Sequence, residues 1–456
     1  MSFLSGLKAA QLKYNIFTSI RENVDAELLQ ALSGKLKKVT VAIKDNIVTK
    51  EDKTTCSSQI LADYESPFDA TVVRLLKEQG AVVVGKTNLD EFGMGSGTTH
   101  SHFGPTLNPL YPDEARISGG SSGGSAAAVS AGLVDVALGT DTGGSIRLPA
   151  SYTGVVGFKP TYSRISRWGV VPYAQSLDTV GLLSRDVSII RQVFTELDKY
   201  DPNDPTSLAG DIRETIPKRT VTSQRLRIGV CEQFNVKELS QPMRNAWISS
   251  LERFSKDGHE LVPVSIPSIK HALSAYYVLA PAEAASNLSR YDGVRYGFRN
   301  YDKSYGTTRS TGFGSEVQKR IMLGNFNLSS EAYSNHFLKA QRVRRLICDE
   351  FNEVFKLSNP LDGKTSFNDL GIDLIVTPTS TSKAPTLEKF RLSQNDNGVT
   401  EYVDDVMTVP ASLAGLPSIV VPWNTDNGVC GIQLTGQFGD DNLVLDVAET
   451  FMAREE

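Results

Sequence analysis

The chain has 456 residues, of which 40% are hydrophobic and 22% are charged, and its formal net charge is −5. This composition is typical of a soluble globular protein, and the slight negative charge excludes a nucleic-acid-binding field over the whole molecule. The sequence contains no apolar run of about 18 residues, so we expect no membrane span. The four cysteines are scattered without a CxxC pair, which predicts reduced thiols and no zinc site.

The amino-terminal segment is basic and rich in hydroxyl side chains. Lys8, Lys13 and Arg21 all precede the first acidic residue, Glu22. Such a composition is typical of an organelle transit peptide. It also fits an amphipathic first helix of the fold, and both interpretations hold together if the segment is never cleaved.

Strands and helices are predicted to alternate in the first half of the chain. A β-branched run at 39–43 predicts a strand that delivers Lys44. Residues 69–80 begin with an aspartate, show helical apolar spacing and end with a glycine, which predicts a helix. The remaining predicted elements are a strand at 81–85, helices at 86–94 and 125–133, and a strand at 134–139. This alternation favours an α/β sheet covered by helices on both faces.

The second half continues the α/β pattern after a polar segment at 200–225, which predicts a surface loop. Two helices are predicted near 268–290 and 329–355, on either side of a segment rich in tyrosine, glycine and arginine. The other predicted elements are strands at 227–234, 259–266, 374–378, 418–422 and 428–435, and helices at 241–256 and 440–452. No repeat or linker divides the chain, so we expect one large domain over residues 1–456.

Two glycine–serine clusters, at 118–125 and 141–145, suggest acyl-transfer chemistry. Glycine lets the backbone approach a ligand closely. The second cluster sets successive backbone N–H groups beside the hydroxyl of Ser145, and acyl transfer needs a nucleophile and donors for the oxyanion. Taken alone, this cluster would more readily be interpreted as a turn with a serine in it.

Lys44 and Ser121 strengthen the catalytic interpretation of Ser145. Lys44 ends a predicted buried strand, and burial disfavours the charged form of a lysine, which is a base only when neutral. Ser–Lys pairs are a known alternative to the histidine triad. Histidine is scarce, with five residues in the chain, and none lies in a recognisable catalytic context.

Three other motifs are weaker evidence for a catalytic or metal site. Asp141-Thr142-Gly143 lacks the second triplet of an aspartic protease. The GGSSG run at 119–123 lacks the strand that precedes a hydrolase elbow. His100 and His102 lack a third ligand, so we expect no metal site. Asp141 and Arg147 are interpreted as organisers of the loop.

The stretch GGSSGGSAAAVSAGLVDVALGTDTGGSIRLPASYTGVVGFKPTY closely resembles the amidase-signature family, and VAIKDN at 41–46 resembles that family's lysine motif. The resemblance runs over nearly the whole chain from about Asn15, with the signature core at about 39–190. It implies a single amidase-signature domain with a central mixed β-sheet and helices on both faces.

Carried over by position, the resemblance implies a Ser–cis-Ser–Lys triad. Ser145 would attack the carbonyl carbon of an amide, Ser121 would follow a cis peptide bond and relay the proton, and Lys44 would be the terminal base. The resemblance also implies an oxyanion hole, which the N–H groups of the loop form: Thr142, Gly143 and Gly144, together with Ser145 itself.

The resemblance also implies a site for free glutamine. Arg320 would bind the α-carboxylate, since its fork matches a carboxylate, and Asp405 would bind the α-ammonium. Tyr276 would line the pocket. Asp404, next to Asp405, is a rival for its role.

Within the family, the segments at 90–109 and 176–187 are most similar to glutaminase subunits of tRNA-dependent amidotransferases. This implies that a Ser145 acyl-enzyme hydrolyses glutamine and that the ammonia passes to a partner, the kinase/transamidase subunit. The partner would use ATP to convert Glu-tRNA(Gln) into Gln-tRNA(Gln). We expect no cofactor in this chain, which has no GxxxxGK[ST] loop; ATP and Mg²⁺ would belong to the partner.

The chain starts late relative to the family, which implies an additional small subunit over the surface that the usual amino-terminal helices occupy. With the transit-like composition, this favours a mitochondrial, matrix-side protein over a bacterial cytoplasmic one. Two other functions stay open. A stand-alone amidase for another amide would have an apolar pocket in place of Arg320 and Asp405. A non-catalytic scaffold is disfavoured, because Lys44, Ser121 and Ser145 are all present.

Overall fold

The structure is a computed structural model, and it describes residues 2–31, 33–216, 219, 225–301, 304–363, 367–396, 402–425 and 428–453. Within these residues eleven strands form one mixed sheet in the order β1-β3-β2-β4-β6-β5-β10-β11-β9-β7-β8. The strands are β1 Phe17–Ile20, β2 Thr40–Lys44, β3 Val82–Thr87, β4 Val136–Asp141, β5 Val156–Lys159, β6 Thr179–Ser184, β7 Arg227–Cys231, β8 Glu260–Val264, β9 Leu374–Pro378, β10 Ser418–Thr425 and β11 Gly428–Gly436.

Helices connect these strands and cover the sheet. They are α1 Phe3–Tyr14, α2 Val24–Gln30, α3 Thr71–Glu78, α4 Gly123–Ser130, α5 Arg147–Thr153, α6 Val187–Leu197, α7 Gly210–Thr215, α8 Gln241–Lys256, α9 Ala272–Leu288, α10 Tyr305–Gly312, α11 Ser315–Asn327, α12 Leu338–Val354, α13 Leu387–Asp396, α14 Val409–Leu413 and α15 Asp441–Ala453. Among the described residues, no helix combines the length and the apolar character that crossing a bilayer requires.

Both faces of the sheet are buried, as the sequence predicts. In β2, Val41 and Ile43 pack into the larger apolar core, whereas Ala42 between them packs into a second one. Successive side chains of a strand point to opposite faces, so this alternation places one core on each side of the sheet. Residues of α1, α4 and α5 contribute to the second core, and residues of α3, α6 and α9 to the larger one.

The strand pairing brings the ends of β2 and β4 together. The two strands are parallel neighbours, with Ile43 opposite Leu138. Lys44 is the last residue of β2 and Asp141 is the last residue of β4. Because the carboxyl ends of parallel strands lie at the same edge of a sheet, the lysine motif and the second glycine–serine cluster meet there.

The predicted helix at 86–94 is wrong. Strand β3 extends to Thr87, and a 3₁₀ turn at Glu91–Gly93 follows it. Lys86 is fully buried and pairs with Asp45 at 3.0 Å, and Phe92 has a left-handed φ of 52°, which an α-helix does not accommodate. Tertiary partners therefore override the helical tendency of this segment.

Two further segments differ from the predictions. The segment between 290 and 329 contains helices α10 and α11, which the sequence does not predict. The expected surface loop at 200–225 contains helix α7 and the buried side chains of Asp201 and Asp204; its residues 217, 218 and 220–224 lie outside the described residues. The strand–helix–strand unit of β7, α8 and β8 is confirmed, with β7 and β8 parallel.

Helices α9 and α11 are in close backbone contact. A Cβ atom added at Gly324 of α11 would lie 2.0 Å from the carbonyl oxygen of Pro281 in α9. No real Cβ tolerates that distance, so the helices approach this closely only because residue 324 is glycine. By contrast, a Cβ added at Gly6 of α1 would meet no heavy atom within 4 Å.

We expect Gly324→Ala to lower the free energy of unfolding by about 1–3 kcal/mol, because the methyl group forces the two helices apart. Gly6→Ala is the matched control. It should leave the free energy of unfolding unchanged or raise it by up to about 1 kcal/mol, because alanine favours a helix more than glycine does. Urea unfolding of both variants measures the effect. Equal changes for the two variants would show that the α9–α11 contact does not require glycine.

Candidate active site

Lys44 is completely buried and lies at the centre of a cluster of hydroxyl groups. Its Nζ lies 2.8 Å from Ser121 Oγ, 2.8 Å from Ser122 Oγ and 2.9 Å from Thr140 Oγ1. The peptide bond between Gly120 and Ser121 is cis, as the resemblance implies. The structure thus places Lys44 against Ser121 inside the protein and away from solvent.

Burial lowers the pKa of Lys44 from 10.5 to about 7. Desolvation is the largest cause, because an ammonium loses its hydration shell in the interior. The carboxylates of Asp90 and Asp141 favour the charged form but do not offset this loss. At neutral pH, a large share of Lys44 is therefore an uncharged amine that can accept a proton.

The hydrogen bonds around Lys44 indicate which hydroxyl gives it a proton. Ser122 Oγ donates to the carbonyl oxygen of Thr140 at 3.1 Å, and Thr140 Oγ1 already accepts from Asn46 Nδ2 at 3.0 Å. Among the described residues, Ser121 Oγ has no hydrogen-bond partner other than Lys44. A neutral amine has two N–H donors and one lone pair, so it can donate to Ser122 and Thr140 while it accepts from Ser121.

Ser145 lies in the loop that follows β4, directly beside the first glycine–serine cluster. The N–H of Ser122 donates to the carbonyl oxygen of Ser145 at 3.2 Å, which joins the two clusters. Ser145 is partly accessible, whereas Lys44 and Ser121 are buried. Among the described residues, the hydroxyl of Ser145 makes no hydrogen bond, so it is open to an incoming substrate.

The loop at 142–145 offers unpaired backbone donors. Within the described part of the chain, no acceptor lies within hydrogen-bonding distance of the four N–H groups, which belong to Thr142, Gly143, Gly144 and Ser145. Buried N–H groups are almost always paired in folded proteins. Four adjacent unpaired ones are therefore suited to bind an oxyanion that forms during a reaction.

Contacts on both sides fix the shape of this loop. Asp141 forms a fully buried ion pair with Arg147 at 2.9 Å, and Arg147 also donates to the carbonyl oxygen of Thr408 at 2.8 Å. Burial alone would raise the pKa of Asp141, but Arg147 holds it below its ordinary value. Thr408 Oγ1 in turn donates to the carbonyl oxygen of Gly143 at 2.6 Å. Asp141 and Arg147 are thus placed to organise the loop, in agreement with the sequence analysis.

Two positions of the loop must be glycine, because the Cβ atom of any other residue would clash with its neighbours there. A Cβ added at Gly143 would lie 2.7 Å from the ring of Tyr276, and one at Gly144 would lie 2.2 Å from Thr408 Oγ1. Gly144 also has a φ of 149°. The first contact shows that Tyr276 packs directly against the loop, where the resemblance implies a pocket wall.

Arg320 enters the same region from α11 and is almost fully buried. Its Nε donates to Glu316 at 2.8 Å and its Nη1 donates to the hydroxyl of Tyr173 at 2.8 Å. The guanidinium carbon lies 5.6 Å from the ring centre of Tyr277. Among the described residues Nη2 has no acceptor, so one arm of the fork is available to a ligand.

The structure separates Asp405 from its rival Asp404. Asp404 accepts from the hydroxyl of Tyr152 and from the N–H and hydroxyl of Thr381 at 2.5–2.8 Å, which occupies its carboxylate with structural partners. Asp405 accepts from the hydroxyl of Tyr277 at 2.5 Å. Tyr277 also faces Arg320, so one tyrosine lies against both Asp405 and Arg320, and Asp405 fits the ammonium role better than Asp404.

A polar cavity of about 310 Å³ reaches Glu316, the ion-pair partner of Arg320. Its wall includes Glu91, His100, Gly314 and Glu316. Glu91 accepts from the N–H of Gly314 at 2.7 Å and from the hydroxyl of Ser58, and burial raises its pKa to about 7. The 3₁₀ turn after β3 and the start of α11 are thereby connected.

Sequence reasoning misses several residues of the site. Ser122 and Thr140 complete the surroundings of Lys44, and Tyr173 and Tyr277 complete those of Arg320. Ser122 follows Ser121 directly, so the double serine is a signal that could have found it. Tyr277 likewise follows Tyr276 directly, so the double tyrosine is a comparable signal, whereas Tyr173 is distant in sequence from Arg320 and gives none. No cluster of three or more potential metal ligands occurs among the described residues.

The chain is similar to known proteins over nearly its whole length. The family profile described as Amidase matches residues 9–445. The mitochondrial A subunit of the glutamyl-tRNA(Gln) amidotransferase of Eremothecium gossypii is 49% identical over 458 residues, which cover 99% of this chain and 98% of the relative. Its namesake from Candida albicans is 51% identical over 423 residues, which cover 91% and 92%. The crystal structure of the A subunit from Thermotoga maritima has a TM-score of 0.77 at 39% identity and covers 98% of this chain and 89% of that one.

The reactivity of Ser145 should follow the protonation of Lys44. We expect the rate constant for its modification by a serine-directed acylating probe to rise with pH, with a midpoint near 7 and a plateau above it. One pH unit below the midpoint, only about a tenth of Lys44 is neutral. Ser145→Ala, which removes the labelled hydroxyl, is the control. A rate that climbs steadily to about pH 10, as with an ordinary lysine, would contradict the depressed pKa.

Proposed function

The chain belongs to the amidase family, and we propose that within it the chain is the glutaminase subunit of a glutamyl-tRNA(Gln) amidotransferase. The observation that carries the catalytic part is the buried Nζ of Lys44 at 2.8 Å from Ser121 Oγ. The amidotransferase assignment is supported by relatives of that name that are about 50% identical over more than 90% of the chain.

In the proposed mechanism, neutral Lys44 accepts the proton of the Ser121 hydroxyl, and Ser121 takes up the proton of Ser145. Ser145 Oγ then bonds to the carbonyl carbon of the glutamine side chain. The negative charge moves to the amide oxygen, where the N–H groups of the loop at 142–145 stabilise it. Removing one such donor typically lowers the rate of acyl transfer about 10²–10³-fold.

Collapse of the intermediate breaks the carbon–nitrogen bond. The proton on Lys44 returns through Ser121 to the leaving nitrogen, so ammonia departs and a γ-glutamyl ester remains on Ser145. Water then attacks the ester, and the same relay takes up its proton and returns a proton to Ser145 Oγ. Glutamate is released, and the three side chains are restored.

Free glutamine suits the site because Arg320 and Asp405 offer charges opposite to those of its α-carboxylate and α-ammonium. The unoccupied arm of Arg320 suits the α-carboxylate, and the carboxylate of Asp405 suits the α-ammonium. An amide with an apolar body would take both charges further from water without offering either of them a polar contact, which is unfavourable. This polarity favours glutamine over the substrates of a stand-alone amidase for apolar amides.

The rest of the reaction is proposed to take place on a partner, the kinase/transamidase subunit. That subunit would bind ATP, Mg²⁺ and Glu-tRNA(Gln), and would use the ammonia to form Gln-tRNA(Gln). We propose a mitochondrial location, since the relatives from Eremothecium gossypii and Candida albicans are mitochondrial proteins by name.

Replacement of Ser145 should separate the release of ammonia from glutamine from the use of that ammonia to form Gln-tRNA(Gln). In the assembled complex, Ser145→Ala should lower glutamine-dependent formation of Gln-tRNA(Gln) by about 10³-fold or more, because no acyl-enzyme forms. The rate with added ammonium chloride should stay within about twofold of wild type. Ser130→Ala, on the same helix as the first glycine–serine cluster, is the control and should affect neither rate. Loss of both activities in an intact complex would contradict the division of labour between the subunits.

Arg320 should control the affinity for glutamine. We expect Arg320→Gln to raise KM for glutamine about tenfold or more, because the α-carboxylate loses a charge-assisted hydrogen bond. The matched control is Lys339→Gln, which removes an exposed charge on α12 and should leave KM within about twofold. Labelling of Ser145 by a small acylating probe monitors the fold of both variants. An unchanged KM in a variant that still labels would exclude Arg320 from the glutamine site.

A further inference from the structure

The loop at 142–145 needs contacts from outside to keep its shape. Its N–H groups are unpaired among the described residues, so they cannot fix the backbone by hydrogen bonds of their own. Thr408 holds the carbonyl oxygen of Gly143. Within the described part of the chain, the one side chain of the loop that forms a hydrogen bond is that of Thr142. The partner of this side chain therefore bears directly on where the donors point.

That partner is the carboxylate of Asp178. Thr142 Oγ1 donates to Asp178 Oδ1 at 2.7 Å, and both residues are buried. The same carboxylate accepts from the backbone N–H of Tyr173 at 2.9 Å and from that of Ala174 at 3.1 Å. Asp178 thus joins the turn at 173–178 to the loop with the oxyanion donors.

The sheet fixes Asp178 in this place. Strand β6 begins at Thr179 and runs antiparallel to β4, with Thr179 opposite Asp141. One residue further along each chain, Asp178 and Thr142 lie side by side just beyond the paired strands. The N–H of Asp178 donates to the carbonyl oxygen of Ala174 at 2.8 Å, which closes the turn. The carboxylate is therefore attached to the central sheet.

The contacts of Asp178 require a carboxylate. One oxygen accepts from Thr142 and the other from Tyr173, and Ala174 lies within reach of both. Burial raises the pKa of the Asp178 carboxyl above its ordinary value, although the guanidinium of Arg167 acts in the opposite direction. An asparagine has one oxygen and an NH₂ group, so one of these donors would face another donor. A buried donor that loses its acceptor is destabilised.

We propose that Asp178 is a positioning residue for the oxyanion loop and sets the direction of its N–H groups through the hydroxyl of Thr142. The proposal rests on the proposed acyl transfer at Ser145. The oxyanion forms only as the reaction proceeds, so a displaced loop lowers kcat and the rate of acylation while KM stays nearly unchanged. A purely structural role would instead lower stability and leave these rates unchanged in the folded protein.

Variants of the two bonded residues test the proposal. Acylation of Ser145 in the full chain is measured with para-nitrophenyl acetate, whose acetyl carbon bonds to Oγ as para-nitrophenolate leaves; Ser145→Ala gives the background. The kcat and KM for glutamine are measured in the assembled complex. We expect Asp178→Asn and Thr142→Val each to lower the acylation rate and kcat about 10–100-fold, with KM within about twofold. Thr142→Val tests the contact even if Asp178→Asn does not fold.

The double variant tests whether the two residues act through their shared contact. Asp178→Asn and Thr142→Val remove the same hydrogen bond, so their effects should not add. We expect the double variant to acylate within about twofold of the slower single variant. Independent effects would multiply instead.

The matched controls are Asp201→Asn and Thr71→Val. Thr71 Oγ1 donates to Asp201 Oδ2 at 2.6 Å, and both residues are buried. Asp201 also accepts from the backbone N–H of Asn203 at 2.9 Å, so it is bonded much as Asp178 is. Neither residue is hydrogen-bonded to the loop at 142–145. Both controls should keep the acylation rate and kcat within about twofold, and thermal unfolding establishes that every variant is folded.

Four results would overturn the proposal. They are a folded Asp178→Asn variant that acylates at the wild-type rate, effects that multiply in the double variant, equal slowing by Asp201→Asn, and a raised KM with unchanged kcat. A wild-type chain that acylates Ser145 but does not hydrolyse glutamine in the complex would overturn the proposed function instead. The acylation rates of the variants would still decide the role of Asp178, because they do not depend on glutamine.

Discussion

The removal of Lys44 from water is the constraint on which the candidate site depends. Water would keep this amine charged, and a charged lysine has no lone pair with which to accept a proton. The sheet provides the burial, since β2 is covered on both faces and ends at Lys44. The hydroxyl groups of Ser121, Ser122 and Thr140 replace the lost water without adding charge. The mixed sheet thus leaves a large share of this amine uncharged near pH 7 and holds it next to a serine.

Much of this site could be predicted from the sequence because its main residues lie in short motifs with fixed spacing. Lys44 follows a β-branched run, and Ser121 and Ser145 lie in glycine-rich clusters on either side of α4 and β4. Residues that act through tertiary contacts could not be predicted in the same way. Tyr277 is an example, because it reaches Asp405 only once α9 packs beside the 3₁₀ turn at Asp404–Met407. The choice between Asp404 and Asp405 likewise depends on Tyr152 and Thr381, which are far away in the sequence.

The fold was predictable where one face of an element is apolar, as in α8, and where a strand is apolar throughout, as in β9. It was not predictable where polar and apolar residues do not separate into a buried and an exposed face. Helix α11 buries Glu316 and Arg320 and exposes Met322 and Phe326, which inverts the usual arrangement of polar and apolar residues. The predicted helix at 86–94 failed for a related reason, because a buried ion pair between Lys86 and Asp45 holds that segment in the sheet. Such inversions concentrate where residues serve binding as well as folding.

The contact between Gly324 and Pro281 has a mechanical consequence. With no side chain between their backbones, α9 and α11 cannot slide or separate without breaking this contact, so they respond to a load as one body. One helix carries Tyr276 and Tyr277, and the other carries Arg320. A displacement of either helix would therefore carry the other with it, so that Tyr276, Tyr277 and Arg320 keep their positions relative to one another.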